Sequence, residues 1–337
     1  AEQVGAKVIQ GELDNANAIM ELAQVCDVMT IEIEHINVDA LEAVEASGTP
    51  VHPKPSTIRM IQDKYMQKEF LKSHGVAVAE SVDMSNSDIA HRTLSAFGGG
   101  MLVKTRRGAY DGRGNAKVMS PEELDEALDA FSGQELYAER LIPFVKELAV
   151  MVARDIDGNI KTYPITETIH ERNICIETIT PAQASNSALR AAEALALQTA
   201  ELLGGAGVFG IEMFLLEDGS VLVNEIAPRV HNSGHYTMNA CEISQFEQHI
   251  RAVSGLPLGS TSLTTPVAVM RNILGEDDHQ TNVEGLGEAL SLKNVSVHLY
   301  GKSPTKIDRK MGHINVTAES IEEARQIAIK ARGEFSI

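Results

Sequence analysis

The chain has 337 residues, is 43% hydrophobic and 23% charged, and carries a formal net charge of −18. These values are typical of a globular protein of about two or three domains. The acidic excess argues against nucleic acid or an anionic membrane as the main partner, although a local group of Lys and Arg could still bind an anion. No apolar run is long enough to cross a bilayer, and the first ten residues do not resemble a secretory signal. Cys26, Cys175 and Cys241 are scattered, which favours reduced thiols in a cytoplasmic protein over a disulfide or zinc framework.

The N-terminal residues alternate between helical and strand-like segments. Apolar spacing predicts helices over 15–25 and 38–46, and β-rich composition predicts strands over 27–33 and 49–52. This order is typical of an open parallel α/β sheet. Ligands bind such sheets beyond the carboxyl ends of the strands, where Glu32, Glu34 and His35 fall. These side chains are therefore candidates for a binding site; the alternative is that they are solvated loop residues.

A Gly-rich loop lies between two predicted strands in the next part of the chain. Residues 56–74 predict one or two helices with Ser56 as N-cap, and the polar residues 81–93 predict a linker or surface segment. Strands at 101–103 and 116–119 then flank Lys104 and the sequence TRRGAYDGRGN. Backbone N–H groups and Arg side chains of such a loop can cover phosphates, so we interpret it as a lid, although it matches neither the Walker pattern nor GxGxxG. A Gly-rich hairpin tip that binds nothing is the alternative.

The middle of the chain predicts a helix over 121–131, capped by Ser120, and strands over 136–141, 147–154 and 159–166. His170 is expected in a polar turn just beyond them, where a single His is more often structural than catalytic. An Ala-rich helix at 185–203 leads into two strands, 208–216 and 220–226, around Asp218-Gly219. That dipeptide is the strongest hairpin signal in the chain.

This hairpin carries a specific chemical prediction. If Asp218-Gly219 is a two-residue turn, counting outward from it places Glu212 opposite Glu225. Two carboxylates that face each other across a ladder repel, and a hard cation between them would remove that repulsion. Mg²⁺ with bound phosphates is the usual occupant of such an oxygen site. The alternative is that one Glu is an ordinary surface residue.

Two polar loops follow the hairpin. Residues 228–236, PRVHNSGHY, form a dense polar loop directly after an apolar strand. Further on, beyond a helix at 241–254 and a β-like segment at 261–272, strands at 295–300 and 313–317 flank a loop that holds Lys302, Lys306, Arg309 and Lys310. Four cations in so acidic a chain indicate an anion site, and a solvated loop is the alternative.

Together these segments resemble the ATP-grasp superfamily and, within it, the family of 5-(carboxyamino)imidazole ribonucleotide synthetases. The resemblance covers nearly the whole chain. Its motifs are TIEIEHI (30–36), QDKYMQK (62–68), VKTRRGAYDGRG (103–114), YPITETIH (163–170), FGIEMF (209–214), NEIAPRVHNSGHY (224–236), SQFEQH (244–249) and YGK with RKMGH (300–302, 309–313). The wording of QDKYMQK and AYDGRGN is most similar to fungal members, in which this domain is fused to a carboxylase.

The resemblance implies an ATP-grasp fold that mixes α/β and α+β architecture. The implied parts are a truncated N-terminal open parallel α/β (preATP-grasp) domain at 1–60, a small ATP-grasp subdomain with the lid at 61–140, a large subdomain with the metal site at 141–280, and a C-terminal β-rich subdomain at 281–337. It also implies a homodimer that uses ATP and Mg²⁺ in purine biosynthesis. In the implied reaction, ATP phosphorylates bicarbonate to carboxyphosphate, which carboxylates the exocyclic amine of aminoimidazole ribonucleotide.

Matching positions in the family motifs imply residue roles. ATP contacts are implied for Lys64, Lys104, Glu139, Arg140, Leu141, Ile142, Glu147, His170, Asn224 and Glu225. The lid over the phosphates is implied to comprise Gly108, Ala109, Tyr110, Asp111, Gly112, Arg113 and Gly114. Mg²⁺ would be held by Glu212 and Glu225, and bicarbonate and the imidazole would be surrounded by Tyr110, Asp111, Arg229 and His231. The ribonucleotide would be bound by Glu34, Asn232, Ser233, Lys302 and Arg309.

Two departures from the family pattern bear on these expectations. The family opens with a strand and a GGGQLGRM-type turn on the substrate side, and this sequence contains neither. Many ATP-grasp enzymes also place Asn two residues after the metal-binding Glu, where this chain has Ala227. Asn224 could replace it, but strict alternation along a strand would point Asn224 away from the Glu225 face. Another ATP-grasp ligase with an acyl-phosphate intermediate, or a nucleotide-binding fragment without turnover, is the alternative function.

Overall fold

The computed structural model describes residues 4–108 and 114–337. The N-terminal elements are α1 (Ala16–Ala23), β1 (Met29–Thr30), α2 (Val38–Ala46), β2 (Val51–His52), α3 (Pro55–Gln62) and α4 (Lys64–Ser73). β1 and β2 pair in parallel, with Met29 opposite Val51, as the sequence predicts for an α/β unit. Apolar side chains of α1, α2 and α3 bury one common core against these strands.

Two local predictions in the next segment are wrong. Ser56 does not cap a helix, because α3 begins one residue earlier at Pro55, whose fixed φ suits the first helical position. Residues 81–93 are not a linker, since they contain a strand and most of a helix. The helix was missed because its polar residues hide the apolar spacing, although Asn86 caps it by accepting a hydrogen bond from Ile89 N–H.

A small four-stranded sheet follows. Its elements are β3 (Ser81–Asp83), α5 (Ser87–Phe97), β4 (Met101–Thr105), β5 (Asn115–Val118), α6 (Pro121–Ala130) and β6 (Leu136–Arg140). The strand order is β3-β6-β4-β5, so the predicted hairpin of β4 and β5 lies at one edge. α5 and α6 cover one face with a core that includes Leu94, Phe97 and Leu124.

The remaining strands form one antiparallel sheet of nine strands in the order β12-β11-β7-β9-β10-β13-β15-β14, with β8 on β7. Its elements are β7 (Phe144–Arg154), β8 (Ile160–Thr162), β9 (Thr166–Glu171), β10 (Ile174–Thr180), α7 (Asn186–Leu202), β11 (Gly207–Leu216), β12 (Val221–Ala227), α8 (Thr237–Ala240), α9 (Gln245–Val253), β13 (Val267–Leu274), α10 (Leu286–Leu290), β14 (Val295–Leu299), β15 (Lys310–Ala318) and α11 (Ile321–Gly333). The apolar faces of α7 and α11 pack on this sheet and form its two largest cores. No helix in the described parts of the chain is long and apolar enough to span a membrane.

His170 lies within β9 and not in a polar turn, contrary to the sequence prediction. β9 pairs with β10, and His170 is directly opposite Cys175. The sheet continues beyond β9 into β10, a strand that the sequence pattern does not predict. As a result, His170 is held in the sheet next to β7, close to the hairpin of β11 and β12.

Candidate active site

The hairpin of β11 and β12 places Glu212 opposite Glu225, as predicted, but by a different route. Its tip is a three-residue loop, because Leu216 N–H donates to Ser220 O at 2.9 Å and Gly219 has a φ of +83°. Such a tip alone would shift the pairing by one residue. A β-bulge on β12, opposite Glu212 and Met213, corrects the shift, because Met213 pairs with Val223 and Glu212 with Glu225, which leaves Asn224 as the extra residue.

The bulge also decides on which face Asn224 lies. In a β-bulge, two residues of one strand oppose a single residue of the other, so Asn224 and Glu225 both face Glu212. The burial pattern agrees: Val221, Val223 and Ile226 are buried, whereas Asn224 and Glu225 are both partly exposed. Strict alternation along the strand, which the sequence prediction assumes, would point Asn224 away from the Glu225 face.

The carboxylates around this hairpin lie in surroundings that disfavour their charge. Burial, with the nearby charges of Glu225 and Glu147, raises the pKa of Glu212 from 4.5 to about 7. Burial likewise raises the pKa of Glu147 to about 7. Lys64 Nζ lies 2.9 Å from Glu225 Oε1. His231 Nε2 lies 3.5 Å from Glu212 Oε1, and His170 Nδ1 lies 3.2 Å from Glu147 Oε2.

These carboxylates suit a hard divalent cation. Oxygen ligands and unbalanced negative charge are what Mg²⁺ requires, and it commonly takes one or two carboxylates with substrate phosphates and water completing the shell. Among the described residues, no three His, Cys, Asp or Glu side chains converge closely enough to hold a metal by themselves. The residues present therefore fit a cation that arrives with phosphate oxygens better than a closed protein cage.

The loop after β12 is tied to the N-terminal unit through Arg229. Its Nε and Nη2 atoms donate to the two carboxylate oxygens of Glu34 at 2.6 and 3.1 Å. Burial alone would raise the pKa of Glu34, but the hydrogen bond and charge of Arg229 hold that pKa below its ordinary value. This bidentate pair fixes the guanidinium plane. Glu34, the substrate-side candidate at the end of the first strand, is thus brought to the hairpin loop.

His231 is an uncharged imidazole at neutral pH. Burial, assisted by the charges of Arg229 and Lys310, lowers the pKa of His231 to about 3. Its Nδ1 lies 2.8 Å from Ser233 Oγ and is also within 3.4 Å of the Ser233 N–H. Because that N–H can only donate, the ring proton is assigned to Nε2, which faces Glu212.

Lys104 and Glu139 lie in a separate charged cluster of the small sheet. Glu139 is 1% exposed, and its carboxylate contacts Lys104 Nζ at 3.1 Å, Lys68 Nζ at 3.5 Å and the Tyr137 hydroxyl at 2.9 Å. Burial alone would raise its pKa, but the two ammonium groups lower the pKa of Glu139 to about 2. Its carboxylate therefore binds the two lysines. The Arg140 side chain points elsewhere, to Glu80 and Phe97 O.

Of the predicted lid, Ala109, Tyr110, Asp111, Gly112 and Arg113 lie outside the described residues. The flanking Gly108 and Gly114 both have a positive φ, which favours glycine. Arg106 and Arg107, predicted among the cations over the phosphates, instead contact the fully buried Asp63 at 2.7 and 3.1 Å. They anchor the base of the loop to the start of α4.

A cavity of about 610 Å³ brings together nine of the predicted site residues. Predicted site residues that line it are Glu34, Lys64, His170, Glu212, Glu225, Arg229, His231, Asn232 and Ser233. Polar lining side chains without a role implied by the resemblance are His35, Asn115, Thr168, Asn173, Cys175 and Lys310, of which His35 and Lys310 belong to segments that the sequence predicts as binding sites. Thr168 could have been found from the two-residue period of β9, since it shares a face with His170.

The cations of the basic loop before β15 lie in different surroundings. The described residues that line the cavity include Lys310 but neither Lys302 nor Arg309. Lys302 Nζ donates to Lys310 O at 3.0 Å, and Arg309 Nη1 donates to Pro304 O at 2.7 Å. Lys310 is the first residue of β15, whose position in the sheet directs its side chain to the cavity. The sequence pattern shows Lys310 as one of four cations in the loop and gives no reason to assign it a different role from Lys302, Lys306 and Arg309.

The comparisons with known proteins agree with this architecture. Family models match residues 69–246 (ATP-grasp domain), 268–327 (phosphoribosylaminoimidazole carboxylase C-terminal domain) and 1–62 (ribonucleotide synthetase preATP-grasp domain). The chain is an ATP-grasp protein, with the preATP-grasp and C-terminal parts that the sequence predicted. It belongs to the N5-carboxyaminoimidazole ribonucleotide synthase family.

Individual relatives support the family assignment. A phosphoribosylaminoimidazole carboxylase from Ogataea methanolica is 47% identical over 94% of this chain, which spans 60% of that protein's length. The structure of carboxyaminoimidazole ribonucleotide synthase from Aspergillus clavatus complexed with ATP has a TM-score of 0.90 and 39% identity, covering 98% of this chain and 89% of that one. A second A. clavatus structure, with ADP and 5-aminoimidazole ribonucleotide, has a TM-score of 0.89 and 37% identity, covering 99% of this chain and 89% of that one. The predicted similarity to fungal proteins is thus confirmed.

Proposed function

We propose that this chain carries out the ATP-dependent carboxylation of 5-aminoimidazole ribonucleotide by bicarbonate. A bicarbonate oxygen attacks the γ-phosphorus of ATP, giving carboxyphosphate and ADP. The exocyclic amine then attacks the carboxyl carbon, phosphate leaves and the amine loses a proton, which gives 5-carboxyaminoimidazole ribonucleotide. The observation that carries this proposal is the single cavity in which the facing Glu212 and Glu225 lie beside Arg229 and His231.

The nucleotide end of the cavity is assigned to the hairpin and the small sheet. Mg²⁺ bound at Glu212 and Glu225 would neutralise charge on the transferred phosphoryl group, which needs electrostatic stabilisation more than covalent help. Asn224 shares their face because of the bulge. Lys64, Lys104, Glu147, His170, the hinge at 139–142 and the loop 108–114 are proposed ATP contacts. ATP is present in a structure of a homologue.

The acceptor end is assigned to the loop after β12. The guanidinium of Arg229, held in one plane by Glu34, can grip a planar carboxylate-like anion. His231 is uncharged and therefore leaves the negative charge of its acidic neighbours to the cation. Carboxyphosphate hydrolyses readily, so enclosure of this end by the lid residues Tyr110 and Asp111 is part of the proposal.

For the ribonucleotide phosphate, Lys302 and Arg309 with Asn232 and Ser233 remain proposed ligands, and Lys310 lies closer to the reacting groups. Lys310→Ala is expected to lower kcat, whereas Arg309→Ala is expected to raise the KM for the ribonucleotide more than the KM for ATP. Steady-state kinetics with each substrate varied in turn separates the two roles. Equal effects of Arg309→Ala on both KM values would contradict its assignment.

The function itself is tested by ADP release. Bicarbonate and aminoimidazole ribonucleotide together should stimulate ADP release, and omission of either should reduce it. Stimulation by a different carboxylate, without aminoimidazole ribonucleotide, would favour another ATP-grasp ligase with an acyl-phosphate intermediate. Nucleotide binding with no turnover would favour an inert fragment.

We further propose that the protein works as a cytoplasmic homodimer that binds neither nucleic acid nor membranes. The net charge of −18 supports the absence of polyanionic partners. Light scattering after size exclusion gives the mass, and a monomer at micromolar concentration would contradict the dimer.

A further inference from the structure

We propose that Gln245 is a positioning residue of the active site: its buried amide fixes the main chain of His231 and so sets the place of the imidazole beside Glu212. This inference rests on the proposed carboxylation, in which the loop after β12 holds the acceptor end. Gln245 is the first residue of α9 and does not belong to the loop it holds.

The amide of Gln245 makes three hydrogen bonds to the loop. Its Oε1 accepts the His231 N–H at 2.9 Å, and its Nε2 donates to His231 O at 2.8 Å and to His235 Nδ1 at 3.0 Å. The side chain is 0% exposed, so water cannot substitute for any of these bonds. Because the carbonyl of His231 can only accept, the orientation of the amide is fixed, and the proton of His235 is assigned to Nε2.

The main chain of Gln245 is itself held by a hydrogen bond. Its N–H donates to Thr237 Oγ1 at 2.9 Å, and that hydroxyl donates to Gly234 O at 2.6 Å. A Cβ at Gly234 would lie 2.5 Å from Gln245 Oε1, so only glycine admits the amide at this point. The loop thus offers hydrogen-bonding groups and a space at Gly234 that fit the side chain of Gln245.

The opposite side of His231 is equally restricted. A Cβ at Gly210 would lie 2.6 Å from His231 Cβ, which shows that the residue packs directly on β11, two positions before Glu212. His231 is therefore fixed between Gly210 and Gln245, with its Nε2 3.5 Å from Glu212 Oε1. A displacement of about 1 Å in a reacting constellation can lower a rate by about 10²-fold. Loss of the amide would permit such a displacement.

The chain offers a matched control in Gln248, which lies one turn further along α9. Gln248 is also 0% exposed, and it also binds both main-chain groups of one loop residue: Gly259 N–H donates to its Oε1 at 2.9 Å, and its Nε2 donates to Gly259 O at 3.1 Å. Gly259 is not among the described residues that line the cavity. Substitution of either Gln removes a similar set of buried hydrogen bonds, but only one set touches the site.

The test compares Gln245→Met with Gln248→Met in ADP release that depends on bicarbonate and aminoimidazole ribonucleotide. We expect both variants to lose thermal stability. The kcat of Gln245→Met should fall about 10²-fold, with the KM for ATP changed by less than about threefold. The kcat of Gln248→Met should stay within about threefold of wild type. Equal kcat values in the two variants would overturn the proposal. So would a rise in the KM for ATP as large as the fall in kcat, because that would indicate general distortion.

If Gln245→Met does not fold, Thr237→Val provides the test, because it removes the hydroxyl that fixes the Gln245 main chain and keeps the shape of the side chain. A fall in kcat of about tenfold is expected, and an unchanged kcat in the folded variant would count against the proposal. Failure of the carboxylation proposal is distinguishable, since wild type itself would then show no release dependent on both substrates.

Discussion

Glu139 and Glu212 are buried glutamates with opposite electrostatics. Glu139, in the small sheet, has two ammonium groups and a hydroxyl within 3.5 Å, and its pKa falls to about 2. Glu212, in the large sheet, faces Glu225, and burial with that neighbour raises its pKa to about 7. Among the described residues, Glu139 is paired with two ammonium groups, whereas Glu212 faces a second carboxylate. The second cluster is therefore the one prepared for a ligand that brings positive charge.

The two carboxylates differ in whether they stabilise the folded protein or favour the binding of a cation. A carboxylate whose charge is matched within the fold contributes to the folded state, and its removal leaves the partner cations buried without a counter-ion. A carboxylate that repels its neighbour weakens the empty protein and becomes favourable when a cation binds. The two clusters should consequently respond in opposite directions to the same substitution.

The largest expected effect is on turnover. Glu225→Gln removes one of the two facing carboxylates and should lower ADP release by about 10³-fold, because the cation loses a charged ligand next to the transferred phosphoryl group. The far-ultraviolet circular dichroism should stay that of wild type. Wild-type rates in this variant would contradict the metal assignment.

The second effect is on stability in the matched cluster. Glu139→Gln leaves the buried Lys68 and Lys104 without a carboxylate and should lower the free energy of unfolding by about 3 kcal/mol. Urea unfolding at pH 7.5 without nucleotide measures it. A loss under about 0.5 kcal/mol would show that the lysines are neutral or solvated in the folded state.

The third effect is on the pH dependence of stability, through a buried imidazole whose two ring nitrogens both have partners in the fold. His249 is buried, with Val208 N–H donating to its Nδ1 at 3.0 Å and Thr30 Oγ1 lying 2.7 Å from its Nε2. Burial, with the charge of His52, lowers the pKa of His249 from 6.5 to about 4. The unfolded chain therefore binds the proton first, and the stability that neutral His249 contributes is present above pH 6.5 and lost as the pH falls through 4.

We expect wild type to lose about 1–3 kcal/mol more than His249→Gln between pH 7 and pH 4. Urea midpoints measured across this range for both proteins give the difference. Parallel pH profiles would show that His249 is not the group responsible.

The smallest effect has the opposite sign. Glu212→Gln removes the repulsion from Glu225 and should leave the free energy of unfolding unchanged or raise it by up to about 1 kcal/mol at pH 8 in the presence of a chelator. Mg²⁺ with ADP should stabilise wild type more than the variant. A destabilisation as large as that of Glu139→Gln would abolish the distinction between the two clusters.

The hairpin shows how a sequence prediction can reach the right contact through the wrong geometry. A two-residue tip and a three-residue tip followed by a bulge both place Glu212 opposite Glu225. Asp218-Gly219 indicates a turn, but nothing in the local sequence shows that Asn224 leaves the ladder. The face of Asn224 is set by pairing with β11, which is a tertiary property.

The positions of other site residues are also set by tertiary contacts, so local sequence patterns do not predict them. His170 was placed in a turn because β10, its partner strand, was not predicted. The parallel α/β unit and the family motifs were sufficient to predict the fold and half of the residues that line the cavity. Gln245 was not assigned a role, because a buried glutamine on an amphipathic helix has no sequence signal that shows which loop it holds.

The continuous sheet has a consequence for recombination. The ATP-grasp match ends at residue 246 and the C-terminal match begins at 268, but β10 and β13 on either side of this interval are paired neighbours in the middle of one sheet. The pair Glu177 and Arg271 crosses it with an ion pair of 2.9 Å, and Glu177 is 0% exposed. A chimaera that joins the ATP-grasp part of one relative to the C-terminal part of another must therefore keep this register, since a slip of one residue would turn Arg271 to the other face. Exchange of parts between relatives is limited here by strand pairing as well as by the residues around the cavity.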